Sequence, residues 1–141
     1  MAAFPNAKII HVQRNAAATC WSNFKHYFPS RGLGYSFDLR DTAEYYNLYK
    51  DLMQFWISIY PNRIFNLDYE SLTENQRPQT KALLEYLELN WENQCLYPQK
   101  NKRAVRTASH QQVRQKIYRG SSNSWRKFAP YINDAFNVLM T

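Results

Sequence analysis

Phe4-Pro5-Asn6-Ala7-Lys8-Ile9-Ile10-His11-Val12-Gln13-Arg14-Asn15 is the stretch on which the fold turns. Ala7 to Val12 is short, β-branched and apolar, the pattern of a buried strand. It ends at Gln13-Arg14-Asn15. Asn15 is suited to cap a helix running through Ala16-Ala17-Ala18 to about Phe28. A strand leading straight into a helix is the opening of an α/β unit, and open α/β sheets bind ligands at the C-terminal ends of their strands. Arg14 stands at that end. Its planar fork of donors suits phosphate, and Ser22, eight residues later and about two turns into the helix, can add a hydroxyl. Spacing alone favours the plainer reading of the pair as an ordinary surface arginine and a helix-facing serine.

Working outward, Pro29, Gly32 and Gly34 punctuate a loop. Asp41-Thr42-Ala43-Glu44 has capping-box spacing and predicts the start of a second helix, with Tyr45, Leu48, Leu52, Phe55, Trp56 and Ile59 recurring on one face until Pro61-Asn62 stops it. The aromatic series Tyr45, Tyr46, Tyr49, Phe55 and Trp56 reads as core at helical spacing, with the lining of an acceptor cleft as the other reading for part of it. Arg63-Ile64-Phe65-Asn66-Leu67-Asp68-Tyr69 reads as a second strand. Strand, helices, strand is the signature of a crossover between parallel strands. A third helix is expected from about Pro78 to Leu89, burying Leu83, Leu84 and Leu87. A last one is expected from about Pro130 to Met140, burying Ile132, Phe136 and Leu139.

Charge divides the chain. Residues 1–92 carry nine Lys/Arg and ten Asp/Glu, whereas residues 93–141 carry nine Lys/Arg and a single acid, Asp134, for a balance of +8. A basic segment on a near-neutral body points to a polyanionic partner: nucleic acid, nucleotide phosphates, a sulfated sugar or an acidic membrane. It is equally read as a solvated basic face. Residues 98–124 look like a long basic surface excursion, with one helical turn beginning at Ser109-His110-Gln111-Gln112. Cys20 and Cys95 form no metal or redox motif and read as free thiols in a reducing compartment. With no signal-peptide pattern and no apolar run of the roughly 20 residues needed to span a bilayer, the expected location is the cytoplasm, with no membrane partner.

The strand with Arg14 and Asn15, followed by Thr19 and Ser22-Asn23-Phe24, resembles the 3′-phosphate motif of sulfotransferases that use 3′-phosphoadenosine 5′-phosphosulfate (PAPS). The resemblance continues at Gly32-Leu33-Gly34-Tyr35-Ser36-Phe37-Asp38-Leu39, at Tyr45-Tyr46 and at Leu67-Asp68-Tyr69-Glu70-Ser71-Leu72. It ends in Val105-Arg106-Thr107-Ala108-Ser109, Gln112-Val113-Arg114-Gln115, Ile117-Tyr118-Arg119 and Trp125. It is most similar to the bacterial sulfotransferases often fused to tetratricopeptide repeats. The resemblance implies one partial domain over residues 1–141 of the P-loop nucleoside-triphosphate-hydrolase-like α/β fold, mainly helical with about two parallel strands.

The resemblance further implies that Arg14 and Ser22 bind the 3′-phosphate and that Tyr69 lies near the adenine. Ser109, Gln112 and Arg114 would belong to a basic loop covering the nucleotide, PAPS or its desulfonated form adenosine 3′,5′-bisphosphate (PAP). The family's phosphosulfate-binding loop, with its catalytic Lys, normally precedes this strand by tens of residues, and its acid/base residue lies between the two. Neither is found here. The expectation is therefore a truncated sulfotransferase domain with no catalytic residue of its own. The intact protein would transfer a sulfuryl group to an unknown hydroxyl or amine acceptor.

His11 reads as a packed core residue, and Glu70 as a structural carboxylate orienting a neighbouring basic side chain. Two other readings stand beside this one: a basic nucleic-acid-binding module, disfavoured because no nucleic-acid motif is present, and an assembly domain whose open sheet edge pairs in a homodimer.

Overall fold

The computed structural model describes residues 4–29, 32–104 and 112–140, the side chains of Gln112, Asn133 and Met140 excepted. Its frame is one parallel strand pair, β1 (Ile9–Gln13) and β2 (Ile64–Asp68), in the register Ile9↔Ile64 to Gln13↔Asp68. The crossover between them is helical: α1 (Ala16–Lys25), a 3-10 turn at Gly34–Phe37, and the long α2 (Leu39–Ile59). Beyond β2 come α3 (Tyr69–Glu74) and α4 (Gln76–Tyr86), then 3-10 turns at Asn93–Leu96, Pro98–Lys100 and Gln112–Arg114. A longer 3-10 segment at Ser121–Phe128 leads into α5 (Ala129–Phe136), and a 3-10 turn at Asn137–Met140 follows. The expected mainly helical chain with two parallel strands is present.

Local chemistry sets the element ends. The Asn15 side chain accepts from the Ala18 amide at 3.0 Å, closing one of the unpaired donors at the start of α1 as expected of an N-cap. Helix α1 stops at Lys25, earlier than Phe28. Helix α2 starts before the Asp41 capping box, because Asp38 does the capping: its carboxylate accepts from the Arg40 and Asp41 amides at 2.8 and 3.0 Å. Asp41 then lies in the first turn, where a negative charge suits the helix dipole. Strand β2 ends one residue before Tyr69 because the Asp68 carboxylate caps α3, accepting from Ser71 N at 2.7 Å. Helix α4 spans less than the expected Pro78–Leu89 at its C-terminal end, and Leu83, Leu84 and Leu87 are half-buried.

The core is helical. Cys20 and Trp21 of α1, Leu39 and Ala43 of α2 and Phe136 of α5 form one buried cluster, joined at its margin by Tyr46, Trp125 and Ile132. Trp21 meets Phe128 at 4.7 Å between ring centroids, and Trp125 meets Phe136 edge-on at 5.7 Å. These contacts clamp the segment Ser121–Phe128 against α1.

Two burial expectations are overturned. Strand β1 is exposed apart from a half-buried His11, with Val12 at 54% of its full accessibility. The apolar row of α2, from Tyr45 and Leu48 to Ile59, is exposed as well. Neither face has the cover its pattern led us to expect: among the described residues β1 pairs with β2 alone, and the buried residues of α2, Leu39, Thr42 and Ala43, lie near its N-terminus. No described helix is long and apolar enough to cross a membrane.

Because the core is small, its aromatic members carry much of the fold. Phe136→Ala should lower the unfolding free energy by about 3 kcal/mol or more, by cavity formation. Leu52→Ala, on the exposed row, should cost under about 1 kcal/mol. Guanidinium denaturation followed by tryptophan fluorescence distinguishes the two.

Candidate functional site

Parallel register carries one step past the sheet. With Gln13 paired to Asp68, the next residues, Arg14 and Asn15, come beside Tyr69 and Glu70. The Asn15 amide donates to the Glu70 carboxylate at 3.2 and 3.4 Å. The Arg14 guanidinium lies over the Tyr69 ring, 5.2 Å from its centroid, a cation–π arrangement. The Tyr46 hydroxyl of α2 donates to the Arg14 carbonyl at 3.3 Å.

The C-terminal 3-10 segment closes the group. Arg14 Nε donates to Ser122 Oγ at 3.0 Å, and that hydroxyl in turn donates to Glu70 Oε1. Ser121 Oγ and the Tyr69 hydroxyl are hydrogen-bonded at 3.1 Å. Guanidinium and carboxylate therefore meet through a buried serine hydroxyl rather than directly. The terminal Nη1 and Nη2 of Arg14 have no hydrogen-bond partner among the described residues, so its most phosphate-like edge of donors stays open.

Arg14 borders two clefts. One, of ≈ 430 Å³, falls in the size range of small-molecule sites. Thr19, Ser22 and Asn23 of α1, which share a helix face by their spacing, line it together with Arg14 and His11. Tyr35, Tyr45, Tyr46 and Tyr49 line it too. Tyr35 and Tyr45 stack at 4.0 Å between ring centroids. The other, of ≈ 350 Å³, lies toward Lys50, Asp68 and Glu70.

Of the residues expected to bind a nucleotide, Arg14 and Ser22 share the larger cleft, and Tyr69 contacts Arg14. Tyr69 presents its ring to the guanidinium and its hydroxyl to Ser121, so in this state it serves the arginine rather than a base. Arg114 is exposed, donates to the Arg103 carbonyl at 2.6 Å and lines neither cleft. Ser109 and the Gln112 side chain lie outside the described residues.

His11 corrects another reading. It lines the larger cleft rather than a packed core. Its Nδ1 donates to Asn66 Oδ1 at 2.7 Å, across the paired strands, and in the neutral imidazole Nε2 accepts from the Tyr49 hydroxyl. Burial raises the pKa of the Tyr49 phenol, so it remains a donor at neutral pH. Burial also pushes the Cys20 thiol up to about 12, while its Sγ donates to the Thr42 carbonyl.

Residues 1–93, about two thirds of the chain, match the sulfotransferase family. The chain belongs to that family. A relative, an uncharacterized protein of Aquifex aeolicus (strain VF5), is 39% identical over 138 residues. That match covers 96% of this chain but only 18% of the relative, so this sulfotransferase chain spans less than a fifth of the protein it matches. Ser121 and Ser122 lie beyond the residues matched by the family. In the sequence, Gly120 followed by paired serines is the local feature that marks them, and in the structure that glycine sits at positive φ (84°).

The thiols should behave differently. Cys20 is buried and stays protonated, whereas Cys95 is half-buried. Iodoacetamide at pH 8 should modify Cys95 in the folded chain and reach Cys20 only on unfolding. Folded Cys20 holds its proton up to about pH 12, and the ordinary thiol value is 9.0, so its contribution to stability is intact below pH 9 and is lost as pH rises from there toward 12. Cys20→Ala should flatten that alkaline decline relative to pH 7.

Proposed function

We propose that this segment is the 3′-phosphate-binding part of a PAPS-dependent sulfotransferase. The observation that carries the reading is that Arg14, at the C-terminal end of a parallel strand, lines one cleft with Ser22 while its Nη groups have no hydrogen-bond partner among the described residues. The residues fit a dianionic phosphate. A guanidinium held on its far side by Ser122 offers two parallel donors, Ser22 offers a hydroxyl, and Thr19 and Asn23 lie on the same helix face. When bound, PAPS supplies an activated sulfuryl group, which the intact protein passes to a hydroxyl or amine. The contribution of this chain is grip and orientation, which convert an encounter into a positioned reaction.

The wider features follow from the same reading. The intact domain would have the P-loop-like α/β architecture, with further strands beside the pair seen here. It would resemble the bacterial sulfotransferases associated with tetratricopeptide repeats, and the order of sequence blocks through Trp125 supports that. The basic segment beyond residue 92 supplies positive charge for a ligand with two phosphates. Free thiols agree with a reducing, cytoplasmic setting. The chain on its own should bind PAP weakly and transfer little sulfuryl group. The dominant requirement for charge stabilisation at the transferred group lies with the phosphosulfate-binding loop.

Calorimetric titration with PAP tests the reading. Saturable binding by the wild type that weakens about 10-fold or more in Arg14→Ala is expected from losing charge-assisted hydrogen bonds. Identical curves for the two proteins overturn it. So does binding of an oligonucleotide, with steep salt dependence, where PAP does not bind. Robust sulfuryl transfer by the 141-residue chain alone would contradict the expected division of labour.

A further inference from the structure

Arg14 is held at three points, and its Nη groups have no hydrogen-bond partner among the described residues. Nε is taken by Ser122, the guanidinium face lies over Tyr69, and the backbone carbonyl is held by Tyr46. An arginine side chain free in solvent loses substantial rotamer entropy when it grips a ligand, and one already fixed does not. The contact that selects which guanidinium edge is offered is the one to Nε. With Nε satisfied internally, the fork presented outward is the Nη1/Nη2 pair.

That contact depends on a third residue. A serine hydroxyl has one proton and two lone pairs. In accepting from Arg14 Nε, Ser122 must send its proton elsewhere, and Glu70 receives it. Glu70 is itself fixed by the Asn15 amide at the start of α1. The carboxylate therefore polarises the serine toward the arginine while remaining one group removed from it. A direct Arg14–Glu70 ion pair would turn the guanidinium toward Glu70 and neutralise it. The interposed hydroxyl leaves the outward donors available.

We propose that Ser122 and Glu70 are positioning residues that set Arg14 for the 3′-phosphate, Ser122 acting as the latch and Glu70 as its anchor. The inference rests on the reading of Arg14 as a 3′-phosphate ligand. It assigns a role to a segment, Ser121–Phe128, that lies outside the residues matched to the family. The latch is held by the core, since Trp125 and Phe128 of the same segment pack on Phe136 and Trp21. The state of the 3-10 segment therefore determines whether the arginine is set.

The test compares the affinities of the full chain for PAP and for adenosine 5′-monophosphate, whose ratio isolates what the 3′-phosphate adds. Ser122→Ala should narrow that ratio about fivefold, the scale of one hydrogen bond, and Ser122→Thr, which keeps the hydroxyl, should restore it. Glu70→Gln still accepts from both Ser122 and Asn15 and should keep the ratio within about twofold, whereas Glu70→Ala should narrow it as Ser122→Ala does. In the nucleotide-free chain, the Arg14 Nε–H resonance should exchange faster with solvent in Ser122→Ala than in the wild type.

A wild-type ratio well above one that Ser122→Ala leaves unchanged overturns the latch and spares the 3′-phosphate reading. A fall in both affinities together, with no change in the ratio, makes Ser122 merely structural and also overturns it. A wild-type ratio of one overturns the reading of Arg14 and the latch with it. If nucleotide binding is too weak to resolve, Nε–H exchange unchanged by Ser122→Ala overturns the latch by itself.

Discussion

Everything at this site depends on the parallel pairing of two five-residue strands in one register. Gln13 opposite Asp68 ends both strands at the same level, and each chain then turns into a helix. Arg14–Asn15 and Tyr69–Glu70 are thus neighbours although about 55 residues separate them in sequence, as the Asn15–Glu70 hydrogen bonds record. A slip of one residue would send every side chain of β1 to the opposite face. The polar pair His11 and Asn66, hydrogen-bonded across the strands, favours the observed register because any other would leave a half-buried imidazole without its partner.

The second determinant is the helical core, which joins the sheet end to the C-terminal segment. Trp21 of α1 packs on Phe128, and Phe136 of α5 packs on Trp125, so the 3-10 segment between residues 121 and 128 cannot move independently of α1. The same α1 carries Ser22 and is capped by Asn15. Packing that stabilises the fold therefore also sets where Ser122, the hydrogen-bond partner of Arg14, and Ser22, which lines the same cleft as Arg14, stand relative to it. Core substitutions far from the cleft are expected to act on the site through this linkage, because close-packed interiors transmit small displacements.

Much of this was legible in the sequence, and the failures have physical causes. The strand–cap–helix order around Asn15 and the strand at 64–68 depend on local preferences, and they stand with boundaries shifted by a few residues. Asp38 displaced Asp41 as the cap of α2 because both positions satisfy capping chemistry and only the tertiary fold selects between them. The apolar face of α2 shows the limit of periodicity: period 3.6 tells which residues share a face, never what covers it. His11 was misread for a related reason. In a five-residue strand the facing residue decides whether a histidine is core or cleft, and Asn66 and Tyr49 are distant in sequence. Ser122 had no local signal strong enough to tie it to Arg14, 108 residues away.

The charge pattern takes a more specific meaning once the site is placed. Near Arg14 the described residues supply Glu70 and Asp68 as well as Lys50, so the immediate surroundings of the guanidinium are close to electrically balanced. Such balance limits like-charge repulsion around the arginine when no ligand is bound. Under the proposed reading, long-range attraction for a doubly phosphorylated nucleotide would come from charges beyond these immediate neighbours. The segment beyond residue 92, with nine basic side chains and one acid, is where that charge lies. In the proposed role, local geometry would discriminate a phosphate in one position, and the basic segment would add attraction that does not depend on that position. Separating the two would let the arginine be fixed by a neutral hydroxyl and a carboxylate while the basic segment supplies the pull on anions that the proposed role requires.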